Sequence, residues 1–143
     1  MTAQFAEELH YNGIEMRLFS LPLESSPHYQ EYAPKIQCNC TALWRGYIGK
    51  WEIVDHSLYL IGIKGETVEG LNIQLSDIFP GCCDRIFAEW YTGKLRVPRG
   101  DCMDYVHMGF FSTYEEDLLI FVENGIVKIS ETISNINPGL PLQ

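Results

Sequence analysis

Residues 42–63 read ALWRGYIGKWEIVDHSLYLIGI, with two tryptophans, two tyrosines and an arginine spaced among glycines at 46, 49 and 62. The apolar residues do not recur at helical spacing. They fall in short runs broken by turn-forming residues, which is the pattern of strands. Trp51 to Val54 and Leu58 to Ile63 flank Asp55-His56-Ser57, so the stretch predicts a hairpin. Along its first strand Ala42, Trp44, Gly46 and Ile48 share one face, and Leu43, Arg45, Tyr47 and Gly49 share the other. Bulky side chains on both faces mean a sheet that is covered twice or keeps one face for a partner. The glycines permit bends that curl such a sheet.

The same grammar extends through the chain. Glu7 to Leu21 divides at Asn12-Gly13 and Leu118 to Ile133 at Asn124-Gly125, the dipeptide favoured where a two-residue turn needs positive φ twice. Thr92-Gly93 predicts a further hairpin between Ile86–Tyr91 and Lys94–Val97. Together these define a mainly β fold, an antiparallel meander curling to a half-barrel or barrel-like sheet with one or two short helices. The clearest helix is Leu75 to Phe79, with Ser76 or Asp77 as N-cap and Pro80-Gly81 ending it. Residues 21–34 read as a long proline-rich loop and residues 136–143 as a tail. No composition break divides the 143 residues, so a single domain over 1–143 is expected.

Composition narrows the function classes. A hydrophobic content of 46% argues against disorder. No basic-then-apolar leader begins the chain and no run approaches the roughly 20 apolar residues of a membrane span, so a cytoplasmic protein is expected. Five cysteines at irregular spacings suit reduced thiols rather than a disulfide framework. The formal charge of −9 disfavours nucleic acid and anionic membranes and favours a basic protein partner.

Motifs that announce chemistry are absent: no phosphate loop, dinucleotide fingerprint, nucleophile elbow or zinc-protease helix occurs. Cys38, Cys40, Cys82, Cys83 and Cys102, even with His28 or His107, lack the C-x-x-C spacing that turns two thiolates toward one zinc ion, so no metal or cofactor is expected. Arg99-Gly100-Asp101 reads as the turn after Pro98. Arg45, Glu89, Arg96 and His107 are the candidates for acid–base or ligand chemistry if neighbouring strands bring them into one pocket. Trp44, Tyr47, Trp51, Trp90 and Tyr91 are the candidate binding anchors, being of the types enriched in interface hot spots, with Glu115, Glu116 and Asp117 as an acidic rim.

The blocks WRGYIGKWEI, LYLIGI, FAEWYTGKLRVPRG, YVHMGF and YEEDLLIFVENG, between about Thr41 and Val127, resemble a group of small bacterial β-rich proteins. That resemblance implies a bacterial cytosolic domain and brings no catalytic residue with it. Small acidic domains with aromatic surfaces are also the type of many toxin-immunity proteins. The expected function is therefore a protein-binding or neutralising domain, most sharply an immunity protein that inhibits a basic toxin. Two alternatives stand beside it: a small enzyme or ligand-binding half-barrel using the Arg/Glu/His cluster, and a homo-oligomer subunit with a self-complementary sheet face.

Overall fold

A computed structural model describes residues 5–38, 45–81, 84–104 and 113–135. Three of the expected hairpins form, each on a two-residue turn with both φ angles positive. Asn12 (53°) and Gly13 (75°) join β1 (Glu7–Tyr11) to β2 (Ile14–Leu18). Asp55 (50°) and His56 (65°) join β3 (Tyr47–Val54) to β4 (Ser57–Gly65). After β5 (Ile86–Phe87), β6 (Gly93–Asp104) and β7 (Thr113–Glu123), Asn124 (49°) and Gly125 (81°) lead into β8 (Ile126–Ser134). This geometry matches the right-handed strand twist, which is why Asn, Asp and Gly occupy it.

The sheet is mainly β in content but mixed in direction, with the order β2-β1-β3-β4-β8-β7-β6 and β5 beside β4. A purely antiparallel meander is corrected at one place: β1 runs parallel to β3, with Leu9 beside Trp51. A second correction concerns Thr92-Gly93, which is not a hairpin turn. β5 pairs with β4 through Tyr59↔Phe87 and Leu60↔Ile86, while β6 pairs with β7.

Two halves meet at their turns. β4 and β8 share the ladder pair Ser57↔Ile126 and then run apart. The junction is tightened by Leu58 N–H to Gly125 O (2.8 Å), Val127 N–H to His56 O (2.7 Å) and Gly125 N–H to Tyr91 O (2.9 Å). At the opposite ends of the strand order, Phe19 N–H donates to Arg96 O (2.7 Å) and Arg96 N–H to Ser20 Oγ (2.9 Å). The sheet is thus curled and pinned where β2 nears β6, without closing as a barrel.

Inside the curl lie Leu9, Leu18, Tyr47, Trp51, Leu58, Leu60, Leu95 and Ile120, all without accessible surface. On β3 the alternation is complete, Tyr47, Gly49, Trp51 and Ile53 inward, so that the Tyr47 face of the opening stretch is the core face. Residues 21–34 are not simply a loop. Ser26 caps α1 (Pro27–Tyr32) by accepting the Tyr29 N–H, with Pro27 at the first helical position, where its missing N–H costs nothing. Tyr29 from α1 meets Tyr47 with ring centroids 5.3 Å apart. The expected second helix is α2 (Leu75–Ile78), but its N-cap is Gln74, whose N–H donates to Asp77 Oδ2 at 2.9 Å. Among the described residues no helix is long and apolar enough to cross a membrane.

Candidate functional site

Strand alternation places Glu7 on the buried face of β1, in phase with Leu9. A carboxylate in that position is costly unless it is hydrogen-bonded, and here three groups from residues 45–51 meet it. Its Oε2 accepts the Gly49 N–H (2.6 Å) and Arg45 Nη2 (2.9 Å), and its Oε1 accepts the Trp51 indole N–H (3.2 Å). Arg45 Nη2 also donates to Phe5 O at 2.7 Å, tying in the segment before β1. A side chain at Gly49 would run into Glu7 Oε1 at 2.5 Å and the Trp51 indole nitrogen at 2.8 Å, so glycine is what lets the carboxylate approach. Burial raises the Glu7 pKa, and the Arg45 charge and the three hydrogen bonds oppose that rise. The arrangement is a clamp holding β1 in parallel register, with its carboxylate already engaged.

An aromatic string continues from the clamp. The Arg45 guanidinium lies 5.3 Å from the Tyr47 ring centroid, Trp51 meets Trp90 edge to face at 6.4 Å, and Trp90 stacks on Phe79 at 5.4 Å. Trp90 is anchored by its indole N–H to Pro22 O (2.8 Å), and Tyr91 donates from its hydroxyl to Lys94 O (2.6 Å). Of the five candidate anchors, Tyr47 and Trp51 are therefore core residues and Trp90 and Tyr91 are half-buried against the core. Trp44 lies outside the described residues.

Arg45, Glu89 and Arg96 are not brought into one pocket. Arg45 pairs with Glu7 at 2.9 Å, whereas Arg96 Nε donates to Asp117 Oδ1 at 2.9 Å. Glu89 is exposed in the turn after β5, and His107 lies outside the described residues. Arg96 belongs instead to the seam where β2 nears β6: Arg17 and Arg96 lie 5.6 and 5.3 Å from the Phe19 ring centroid, and Arg17 Nη1 donates to the Tyr114 hydroxyl at 3.2 Å. No group of three or more His, Cys, Asp or Glu among the described residues could hold a metal ion. Cys38 is exposed, and Cys40, Cys82 and Cys83 lie outside the described residues.

Two open surfaces among the described residues bear on binding. One is a groove of about 610 Å³ that includes Tyr32, Lys35, Val68, Glu69, Leu71 and Asp77 in its lining, with Val68 and Leu71 63% and 62% exposed. Burial, followed by the Asp77 and Glu69 charges, pushes the Tyr32 hydroxyl pKa up. The other is the outer face of β7 and β8. The register sets Phe121 beside Ile129, Leu119 beside Glu131 and Asp117 beside Ile133, on the face opposite the buried Leu118, Ile120 and Val122. Ile129 and Ile133 are 60% and 42% exposed. Of the expected acidic rim, Asp117 lies on this face, Glu116 pairs with Ser134 in phase with Leu118 on the other, and Asn135 donates its N–H to Glu115 O at 2.8 Å and its side-chain amide to Asp117 Oδ2 at 3.2 Å.

Compared with protein-family models, curated proteins and solved structures, the chain matches none.

Proposed function

We propose that this protein is a binding domain for another protein, in its sharpest form a cytoplasmic bacterial immunity protein that neutralises a basic toxin. The observation that carries the reading is the outer face of β7 and β8, where Ile129 and Ile133 stand exposed on either side of Glu131, with Ile133 beside Asp117. Exposed apolar side chains supply contact area, and the surrounding carboxylates together with the net charge of −9 draw a cationic partner. A neutralising domain needs a rigid scaffold and no catalytic group. The buried clamp and the pinned seam supply rigidity, and Arg45 and Arg96 are spent on them.

The test is a kinetic one. A partner captured from extract is purified and its association measured with the native protein and with Glu115→Lys/Glu116→Lys over a salt series. The native rate falls steeply with salt, and the variant's rate is at least tenfold lower at low ionic strength and nearly flat. Equal rates for the two proteins remove the electrostatic basis of the reading.

A second reading, a ligand-binding domain, is favoured by the 610 Å³ groove, a volume within the range of small-molecule sites. Saturable calorimetric binding of a small cationic ligand, lost on Asp77→Asn, would support it.

A further inference from the structure

We propose that the outer edge of β8, over residues 128–133, accepts an extended segment of the basic partner as an added strand; this rests on the protein-binding reading and names its surface and mode. The strand is bonded to β7 along one side. On the other side, among the described residues, its ladder partner is Ser57 opposite Ile126, after which β4 departs in the opposite direction. Every residue from Lys128 to Ile133 is exposed. A strand in that position presents a row of backbone donors and acceptors to whatever can pair with them, and edge strands of this kind are templates for strand addition. Six residues span about 20 Å, enough for a ladder of several bonds.

Side chains beside the edge specify what pairs. Ile129, Glu131 and Ile133 alternate on the outer face, continuous with Phe121, Leu119 and Asp117 of β7. An added strand sets its own alternate residues beside them, so the pattern that fits is apolar, any residue, Lys or Arg, any residue, apolar. A second copy of this chain fits poorly. The twofold register that places Ile129 against Ile133 also places Glu131 of one copy against Glu131 of the other, and each copy carries −9.

The probe is a seven-residue peptide with valine, lysine and valine at its second, fourth and sixth positions and threonine at the other four. Its controls are the same peptide with glutamate for lysine and one N-methylated on alternate amides. Amide hydrogen exchange and chemical shifts of the ¹⁵N-labelled full chain are the readout. The lysine peptide slows exchange at alternate amides within 128–133, the glutamate peptide binds at least tenfold more weakly, the N-methylated peptide gives no protection, and Glu131→Lys reverses the charge preference. Shifts centred on Val68 and Leu71 instead overturn the edge assignment while leaving the protein-binding reading in place. Protection of 128–133 that rises with protein concentration without peptide assigns the edge to a second copy and overturns the proposal. No protection at millimolar lysine peptide overturns it as well, and equal binding of the lysine and glutamate peptides overturns both the proposal and the electrostatic reading beneath it.

Discussion

The indole N–H of Trp51 donates to Glu7 Oε1 across 3.2 Å, joining the buried end of β1 to the middle of β3. Because β1 and β3 are parallel neighbours, no hairpin turn holds them together, and the Glu7 carboxylate with its donors takes that role. Glu7→Ala removes the carboxylate that the buried Arg45 guanidinium bonds, and removing one member of a buried pair costs about 3–5 kcal/mol. Urea unfolding should show that loss, and Glu7→Leu combined with Arg45→Met should cost less than the sum of the single changes.

The acid side of the stability profile follows from the same group. Burial holds the Glu7 pKa above 4.5, so between 4.5 and the native value the folded protein keeps a proton that the unfolded chain has lost. Stability from this group is complete below pH 4.5 and declines as pH rises through the native pKa. The native protein's stability relative to Glu7→Gln should therefore fall as pH increases across that window, measured by urea midpoints at matched ionic strength.

Tyr47 carries a buried hydroxyl with no hydrogen-bond partner among the described residues. An unsatisfied buried hydroxyl costs about 1–3 kcal/mol, so Tyr47→Phe should stabilise the protein by roughly 1 kcal/mol at neutral pH. Burial also raises the Tyr47 pKa and pushes Tyr29 up to about 12, both from 10.0. Each stays protonated in the folded state where the unfolded chain ionises, so stability is intact below pH 10 and falls above it. The Tyr47 slope is at most about 1.4 kcal/mol per pH unit, and Tyr47→Phe should flatten it in alkaline denaturation.

Gly125 sits where the two halves of the sheet meet, at φ +81°, and a Cβ there would lie 2.6 Å from Ala88 O and 2.8 Å from the Phe87 ring. Neither backbone nor a packed ring can retreat cheaply. Gly125→Ala should cost about 1–3 kcal/mol from the backbone conformation, with displacement of β5 added to it. Thermal unfolding measures the loss, and Gly13→Ala, at φ +75° with open space around it, isolates the conformational part.

Sequence and structure agree where the determinant is local. Asn12-Gly13, Asp55-His56 and Asn124-Gly125 each encode their turn in two residues, and all three hairpins are legible for that reason. Thr92-Gly93 also ends in glycine, but Gly93 opens β6 beside Val122, because β5 finds its ladder on β4. The parallel pairing of β1 and β3 joins residues about 40 positions apart and leaves no local trace. α1 did leave one: Ser26-Pro27 is a cap followed by a first-turn proline, masked by the prolines around it. Glu7 was also detectable, as a charge in phase with Leu9 on a face that must be buried. Aromatic type alone did not distinguish an anchor from a core residue at Tyr47 or Trp51, because both roles favour the same rings.

Exposure on the outer face of β8 makes a prediction about what that strand is not needed for. Ile129 and Ile133 contribute little to the core, so Ile129→Thr/Ile133→Thr, which keeps β-branching, should leave unfolding free energy within about 0.5 kcal/mol of native per site. Ile120, on the opposite face of the neighbouring strand and without accessible surface, should lose about 2–5 kcal/mol on Ile120→Ala. Equilibrium urea titrations of both variants decide the matter. A large loss in the threonine variant would mean that the two isoleucines pack within the chain, and the face would then be structural rather than a surface held for a partner.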